Sequence, residues 1–446
     1  MATGDVTLPI MHPVMGFELG TARAGIKVAG RRDLVVMALC EGATCAALYT
    51  QNTFCAAPVV IAKAAQKYGA PRYLVVNTGN ANAGTGSRGL EDATQTCATL
   101  AALMGVEVSA VLPFSTGVIG EYLPMDRLLG GLPAAIEALD VSGWNDAASG
   151  IMTTDTRPKG ASMKVPMPFS KDSSGASEAT ISTVDLTLTG IAKGSGMIKP
   201  NMATMLSFIA TDAKIDDELL HRALRLAVDK SFNRITVDGD TSTNDSLVLV
   251  ATGRGEVVID EGNFDQFLAH LTAICGDLAR ACIRDGEGAE KFVSIVVESA
   301  ASDEEALATA YTVAESPLVK TAVGASDPNW GRILAVVGRA PIANLDISRV
   351  EISLNGVEMV RAGAHAVWRS RGAHGAVGSV LRAELNRVGR GELGGAPPRD
   401  VATPSDGRRV VDQRPRPAAP SCHAYRRPGR CQRECRRLRG RRASGT

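Results

Sequence analysis

Between Lys193 and Ala213 the sequence reads KGSGMIKPNMATMLSFIATDA, and one hydroxyl in this run stands where it could do unusual chemistry. Lys193, Gly194 and Gly196 form a flexible approach, Pro200 and Asn201 a turn, and Ala203-Thr204 the opening of an apolar strand. A strained peptide bond before a Thr invites attack by the Thr hydroxyl on the preceding carbonyl. Hydrolysis of the resulting ester frees the Thr amine, which then acts as general base for its own hydroxyl. Such a nucleophile needs no histidine. Up to Val360 the only histidines are His12, His221 and His270, the last two within helical patterns, so a Ser-His-Asp triad or a His-rich metal site is not expected. From local composition alone, Thr204 would read as an ordinary β-branched strand residue.

Two other motifs carry weaker signals. Gly84, Gly86 and Gly89 form a G-x-G-x-x-G between a strand and a helix, but the insert NTGNANA separates strand from glycines and no acid ends the next strand, so a dinucleotide site is not expected. Asp238 and Asp240 in TVDGDTSTND lack the later Glu of a calcium loop, and polar support around an active site is the expected use. No metal is expected. The nine cysteines (Cys40, Cys45, Cys55, Cys97, Cys275, Cys282, Cys422, Cys431 and Cys435) are scattered rather than spaced as ligand pairs, and read as free thiols.

The elements that must position these residues alternate along the chain. Strand-like runs occur at Arg72 to Val76, Ser109 to Leu112, Thr204 to Ala210, Ser246 to Ala251 and Phe292 to Val297. Between them, helical spacing runs from an Asn263 N-cap to a stop at Gly286, from Asp216 through Leu220, Leu224 and Ala227, and from Glu91 to Gly105. This is an α/β or α+β pattern of helices packed on sheet layers. At roughly 100 to 200 residues per domain, 446 residues allow two to four lobes or one large layered sandwich. There is no run of about 18 apolar residues and no signal-peptide pattern at the start, so a cytoplasmic protein without a membrane partner is expected.

The near-neutral total charge of +1 conceals two different halves. From Arg361 to Thr446, 20 Arg and no Lys against 6 acids leave +14, while 28 basic and 41 acidic residues before that leave −13. The tail is rich in Arg, Gly, Ala and Pro, its periodicity disappears, and it is expected to be largely unstructured. It has almost no aromatics for base stacking and no recognisable module, so nucleic acid is not an expected partner.

KGSGMIKPNMATML resembles the cleavage and nucleophile motif of the glutamate N-acetyltransferase family, also called ornithine acetyltransferase or ArgJ. GFELGTARAGIK (Gly16 to Lys27), VVNTGNANAGTG (Val75 to Gly86), STGVIG (Ser115 to Gly120), MTTDT (Met152 to Thr156), SFNRITVDGDTSTND (Ser231 to Asp245) and SDPNWGRI (Ser326 to Ile333) are similar to it as well, in the family's order. The resemblance implies a layered α/β sandwich with an N-terminal Thr nucleophile, cut between Ala203 and Thr204 into an α chain (1–203) and a β chain that stay together as an α2β2 heterotetramer. It further implies that Thr204 takes the acetyl group from N2-acetyl-L-ornithine and passes it to L-glutamate, in arginine biosynthesis. No cofactor is implied, and acetyl-CoA stays open as a further donor.

By the same resemblance, Thr116 and Gly117 are the oxyanion hole, and Thr153, Lys193 and Glu287 bind substrate alongside Thr204. The chemistry suits an amino acid, whose carboxylate and ammonium groups call for complementary charges. Two rivals stay open: an amidohydrolase or aminopeptidase of the same self-processing fold, and an inactive pseudoenzyme. The family-like part of the β chain is read as 204–360, ending with ISLNGVEMV. The 86 residues of 361–446 depart from the family, whose substrate-contacting C-terminal strands are not found, and the composition suggests a frameshift near Val360.

Overall fold

The computed structural model describes residues 7–69, 71–169, 182–199, 205–366 and the backbone of 380–386. The chain divides into two units, Met1–Gly391 and Glu392–Thr446, and all the described residues belong to the first.

Its core is two sheets face to face. One has the order β1 (Phe17–Ala22), β2 (Leu34–Leu39), β4 (Tyr73–Asn80), β5 (Val111–Val118), antiparallel except for the parallel β4–β5 pair. The other has the order β3 (Thr44–Tyr49), β10 (Ser246–Ala251), β8 (Leu206–Thr211), β7 (Ser182–Lys193), β6 (Lys159–Phe169), with β8 and β10 parallel. Val35, Leu74, Val76, Leu112 and Phe114 of the first sheet pack against Cys45, Ile191, Phe208, Val248 and Val250 of the second. Phe114 and Phe208 meet edge to face with centroids 5.2 Å apart.

Each outer face is covered by helices, because sheets buried on both sides need apolar partners on both sides. On the first sheet lie α2 (Gly86–Met104) and α3 (Met125–Glu137), whose Cys97, Leu100, Leu128 and Leu132 meet Leu34, Val36, Val75 and Val111. On the second lie α5 (Asp217–Asp229) and α6 (Phe264–Arg284), whose Leu220, Leu224, Phe267, Leu271 and Leu278 meet Leu186, Leu188, Ile209 and Leu247. The architecture is the expected layered α/β sandwich, ordered helix, sheet, sheet, helix. The helices α1 (Ala57–Ala65) and α4 (Trp144–Gly150) pack at its edges, and β9 (Lys214–Ile215) pairs with β11 (Val258–Ile259) in a small parallel sheet.

The remaining sheet has the order β12 (Phe292–Glu298), β16 (Val380–Asn386), β13 (Glu351–Leu354), β14 (Val357–Arg361), β15 (Ala364–His365), and its apolar cluster includes residues of α7 (Asp303–Ala314), α8 (Pro317–Gly324) and α9 (Trp330–Val337). Backbone order therefore runs past Val360, where an unstructured tail was expected to begin. β14 and β15 continue past that point, and β16 fills the place between β12 and β13, pairing with both. Leu381, Ala383 and Leu385 alternate at strand spacing, a pattern hidden by the tail's Arg-rich composition. The rest of the tail, with Cys422, Cys431 and Cys435, lies outside the described residues.

Smaller departures have local causes. Asn263 precedes α6 but does not cap it; its side chain accepts from Asp260 N and donates to Val258 O, closing the preceding turn. Asp216 does cap α5, accepting from Leu219 N at 2.8 Å. β4 runs on through Asn77–Asn80 into the insert, and α2 starts at Gly86 rather than Glu91. Gly89 is wrapped by neighbours, since Asn82 donates to its carbonyl and accepts from Thr85 Oγ1. The glycine run thus serves helix initiation. Among the described residues no helix is long and apolar enough to cross a membrane.

Truncating Phe208 would leave a void between the two sheets that flanking strands cannot close. Phe208→Ala is expected to cost roughly 3 to 5 kcal/mol, read as a lower urea midpoint at unchanged m-value.

Candidate active site

At one end of the sandwich, β4 and β5 run parallel with Thr78 opposite Thr116 and Gly79 opposite Gly117. Glycine is required at 117, where φ is +138° and a Cβ would lie 2.2 Å from the Gly79 carbonyl carbon. The second sheet reaches across to this edge. Asn244, buried just before β10, donates to Ala81 O at 2.6 Å and to Ser115 O at 2.9 Å, fixing the backbone next to Thr116.

Lys193 ends β7, and its Nζ donates to Thr116 Oγ1 at 3.2 Å. An ammonium only donates, so the Thr116 oxygen must accept and its own proton stays available for another partner. Glu287 follows α6; its N–H donates to Ser195 O at 2.6 Å, and its carboxylate lies over Gly196, where a Cβ would come within 2.6 Å of it. The Thr153 carbonyl accepts from the Arg31 guanidinium at 3.2 Å.

Thr116, Gly117, Thr153, Lys193 and Glu287 line one cavity of about 410 Å³, shared with Lys27, Arg31, Asp33, Thr78, Gly79 and Ser242. Five expected site residues from four separate stretches of chain therefore come together. Ala203 and Thr204 lie outside the described residues; β8 begins two residues on, at Leu206, between β7 and β10.

Beneath the cavity is a buried charge cluster with no local signature in the sequence. Lys159 Nζ donates to Asp285 Oδ2 at 2.7 Å and to Asp155 Oδ1. Asp155 also accepts from Thr153 N at 2.9 Å and from Gly194 N at 2.7 Å. Burial alone would raise the Asp155 pKa, but the charges of Lys193 and Lys159, the Lys159 hydrogen bond and the Thr153 N–H together hold it well below the usual carboxylate range. Asp245 behaves oppositely. It is fully buried, one of its oxygens meets no donor among the described residues, and burial pushes its carboxyl well above the usual range despite the Ser242 hydrogen bonds and the Lys193 charge. Asp155 and Asp245 sit within motifs already singled out; Lys159 and Asp285 do not.

Asp238 has the supporting role expected of it, accepting from Met197 N, Ile198 N and Asp240 N and so anchoring the loop that leads to Pro200. None of His12, His221 and His270 lines the cavity. Cys45, Cys97, Cys275 and Cys282 are buried free thiols, each pushed up to about 12 by burial, while Cys40 and Cys55 are half-buried.

The α/β sandwich thus gathers a threonine hydroxyl, a glycine amide, a lysine and a glutamate around one cavity. The ArgJ family model matches residues 18–380. The arginine biosynthesis bifunctional protein ArgJ of Pseudomonas syringae pv. tomato is 50% identical over 398 residues, covering 88% of this chain and 94% of that protein. Its namesake in Methylococcus capsulatus is 54% identical over 355 residues, covering 79% and 83%. Among solved structures, the arginine biosynthesis bifunctional protein argJ of Bacillus halodurans is 34% identical with a TM-score of 0.37, covering 45% of this chain and all of that one. The chain belongs to the ArgJ family of arginine-biosynthesis acyltransferases.

Two variants test this geometry. Gly117→Ala has no room for its methyl against the Gly79 carbonyl and is expected to lose about 100-fold in acetyl transfer, the scale of a roughly 1 Å misplacement near reacting groups, in a protein that still shows the wild-type circular dichroism spectrum. For Asp155, folding lowers the pKa. Its contribution to stability is therefore complete above the ordinary Asp value of about 3.9 and is lost as pH falls below it towards the folded pKa. The gap in thermal midpoint between wild type and Asp155→Asn should be widest near neutral pH and narrow below about pH 4; a gap that does not change with pH would exclude a charge effect.

Proposed function

We propose that this chain cuts itself between Ala203 and Thr204 and then moves the acetyl group of N2-acetyl-L-ornithine to L-glutamate through an acetyl-Thr204 ester. The freed Thr204 amine takes the proton of its own hydroxyl as the oxygen attacks the acetyl carbonyl. The developing oxyanion meets the Thr116 hydroxyl and the Gly117 N–H, and the amine returns the proton to departing ornithine. Glutamate then attacks the ester by the same route in reverse. Lys193 and Glu287 take the carboxylate and ammonium ends of the amino acid, with Thr153 beside them. The observation that carries this reading is the convergence of Thr116, Gly117, Thr153, Lys193 and Glu287 on one cavity, with the Lys193 ammonium leaving the Thr116 proton free.

Strand order supports the claim that the two cut chains stay together. β3 and β7 precede the cut and β8 and β10 follow it, yet β3 pairs with β10 and β7 with β8 over six residues each. Two backbone ladders, together with α5 packed on β3 and α6 packed on β6 and β7, would hold the halves, as one αβ unit of an α2β2 assembly. Relatives at 50% identity are named bifunctional, which favours acetyl-CoA as a second donor to be assayed.

Intact-mass analysis under denaturing conditions, beside Thr204→Ala, tests the proposal. Wild type should give two chains split between Ala203 and Thr204 that co-purify until denatured, and the variant one uncut chain. Acetylornithine turnover should require glutamate; equal turnover without it would make the protein an amidohydrolase, and an uncut wild-type chain would refute self-processing.

A further inference from the structure

We infer that Lys159, through the two buried carboxylates it bridges, is a positioning residue that sets the distance between the two charged ends of the substrate pocket. The inference rests on the acetyl-transfer reading above. Thr153, Lys193 and Glu287 come from three segments, and the charge cluster links all three. The Asp155 carboxylate accepts from Thr153 N and from Gly194 N, so one group fixes the backbone beside both Thr153 and Lys193. Asp285 lies two residues before Glu287 and accepts from Thr156 N at 3.0 Å and from the Thr156 hydroxyl, which ties the Glu287 segment to the Thr153 segment. Ser195 completes the circuit, bonded by its hydroxyl to Thr154 at 2.6 Å and by its carbonyl to Glu287 N.

Two carboxylates enclosed this closely repel unless a cation lies between them. Lys159 is that cation, 2% exposed, contacting both. It opens β6 opposite Ala192, one residue from Lys193, so its backbone is fixed by the same sheet that carries the pocket lysine. Remove its charge and the Lys193 charge, which already acts on Asp155, is left to draw towards that carboxylate. Lys193 would then turn from Thr116 towards Asp155, and the Asp285–Glu287 segment would be pushed away by the unshielded carboxylates. Lys159 touches neither substrate nor reacting atoms; it acts through the spacing of Lys193 and Glu287.

The test is steady-state kinetics with N2-acetylornithine and glutamate on the full-length, self-cut protein, comparing wild type, Lys159→Met and Asp285→Asn, with thermal midpoints recorded alongside. Lys159→Met should raise the KM for N2-acetylornithine tenfold or more, with kcat falling less than KM rises. Asp285→Asn, which keeps an acceptor for Thr156 and leaves Lys159 with Asp155, should raise KM about threefold. A general loss of structure would instead lower the active fraction and kcat at unchanged KM. If Lys159→Met does not fold, Asp285→Asn decides, and a wild-type KM in that variant overturns the inference. A wild type that turns over no N2-acetylornithine refutes the functional reading instead, whatever the variants do.

Discussion

The face-to-face packing of the two central sheets is the constraint on which everything else depends. Its interface is a buried apolar cluster rich in Val, Leu and Phe side chains, so the strands are held in fixed register on both sides. Because β4 and β5 end at the same edge as β7 and the starts of β8 and β10, strand ends from both sheets share one rim. A donor on one sheet can then face a cation on the other, as Thr116 faces Lys193. Asn244 makes the link explicit by bonding backbone carbonyls of the opposite sheet from a buried position.

Charge is managed around that rim by burying ions only where they are paired. Lys159 with Asp155 and Asp285 is such a cluster, and each carboxylate also takes backbone N–H groups, which is what keeps a buried ion pair from being a net liability. Asp245 has the Ser242 hydrogen bonds and the Lys193 charge, and burial still pushes its pKa well above the usual range. Two aspartates near one lysine, Lys193, are thus shifted in opposite directions, Asp155 having Lys159 beside it as well. The exposed pairs, Lys27 with Glu121 and Arg222 with Glu261, lie in water and contribute little by comparison.

Among the described residues no histidine lines the cavity. A nucleophile that carries its own base, as proposed for Thr204, would need from the protein only an oxyanion site, charge complementarity for the substrate and a rigid frame, and the cavity offers a threonine hydroxyl, a glycine amide, a lysine and a glutamate toward these needs. The four buried thiols, held protonated by burial, cannot compete as nucleophiles.

Much of this was legible in the sequence by itself. The alternation of apolar runs determined the strands and helices, because period-2 and 3.6-residue patterns are local properties; β10, for instance, spans the residues expected of it, Ser246–Ala251. The motifs pointed to the family, which the match over residues 18–380 shows, although a Thr after Ala reads locally as an ordinary strand residue. Only the tertiary structure decided what depends on distance through space. Lys159 and Asp285 are 126 residues apart and become partners because β6 and the end of α6 meet at one place. β16 was hidden for a related reason: a strand central to its sheet draws its stability from neighbours on both sides, so a short segment inside an Arg-rich tail can be a strand without standing out as one. Local pattern says what a residue can do; long-range packing says which residue will be beside it when it does.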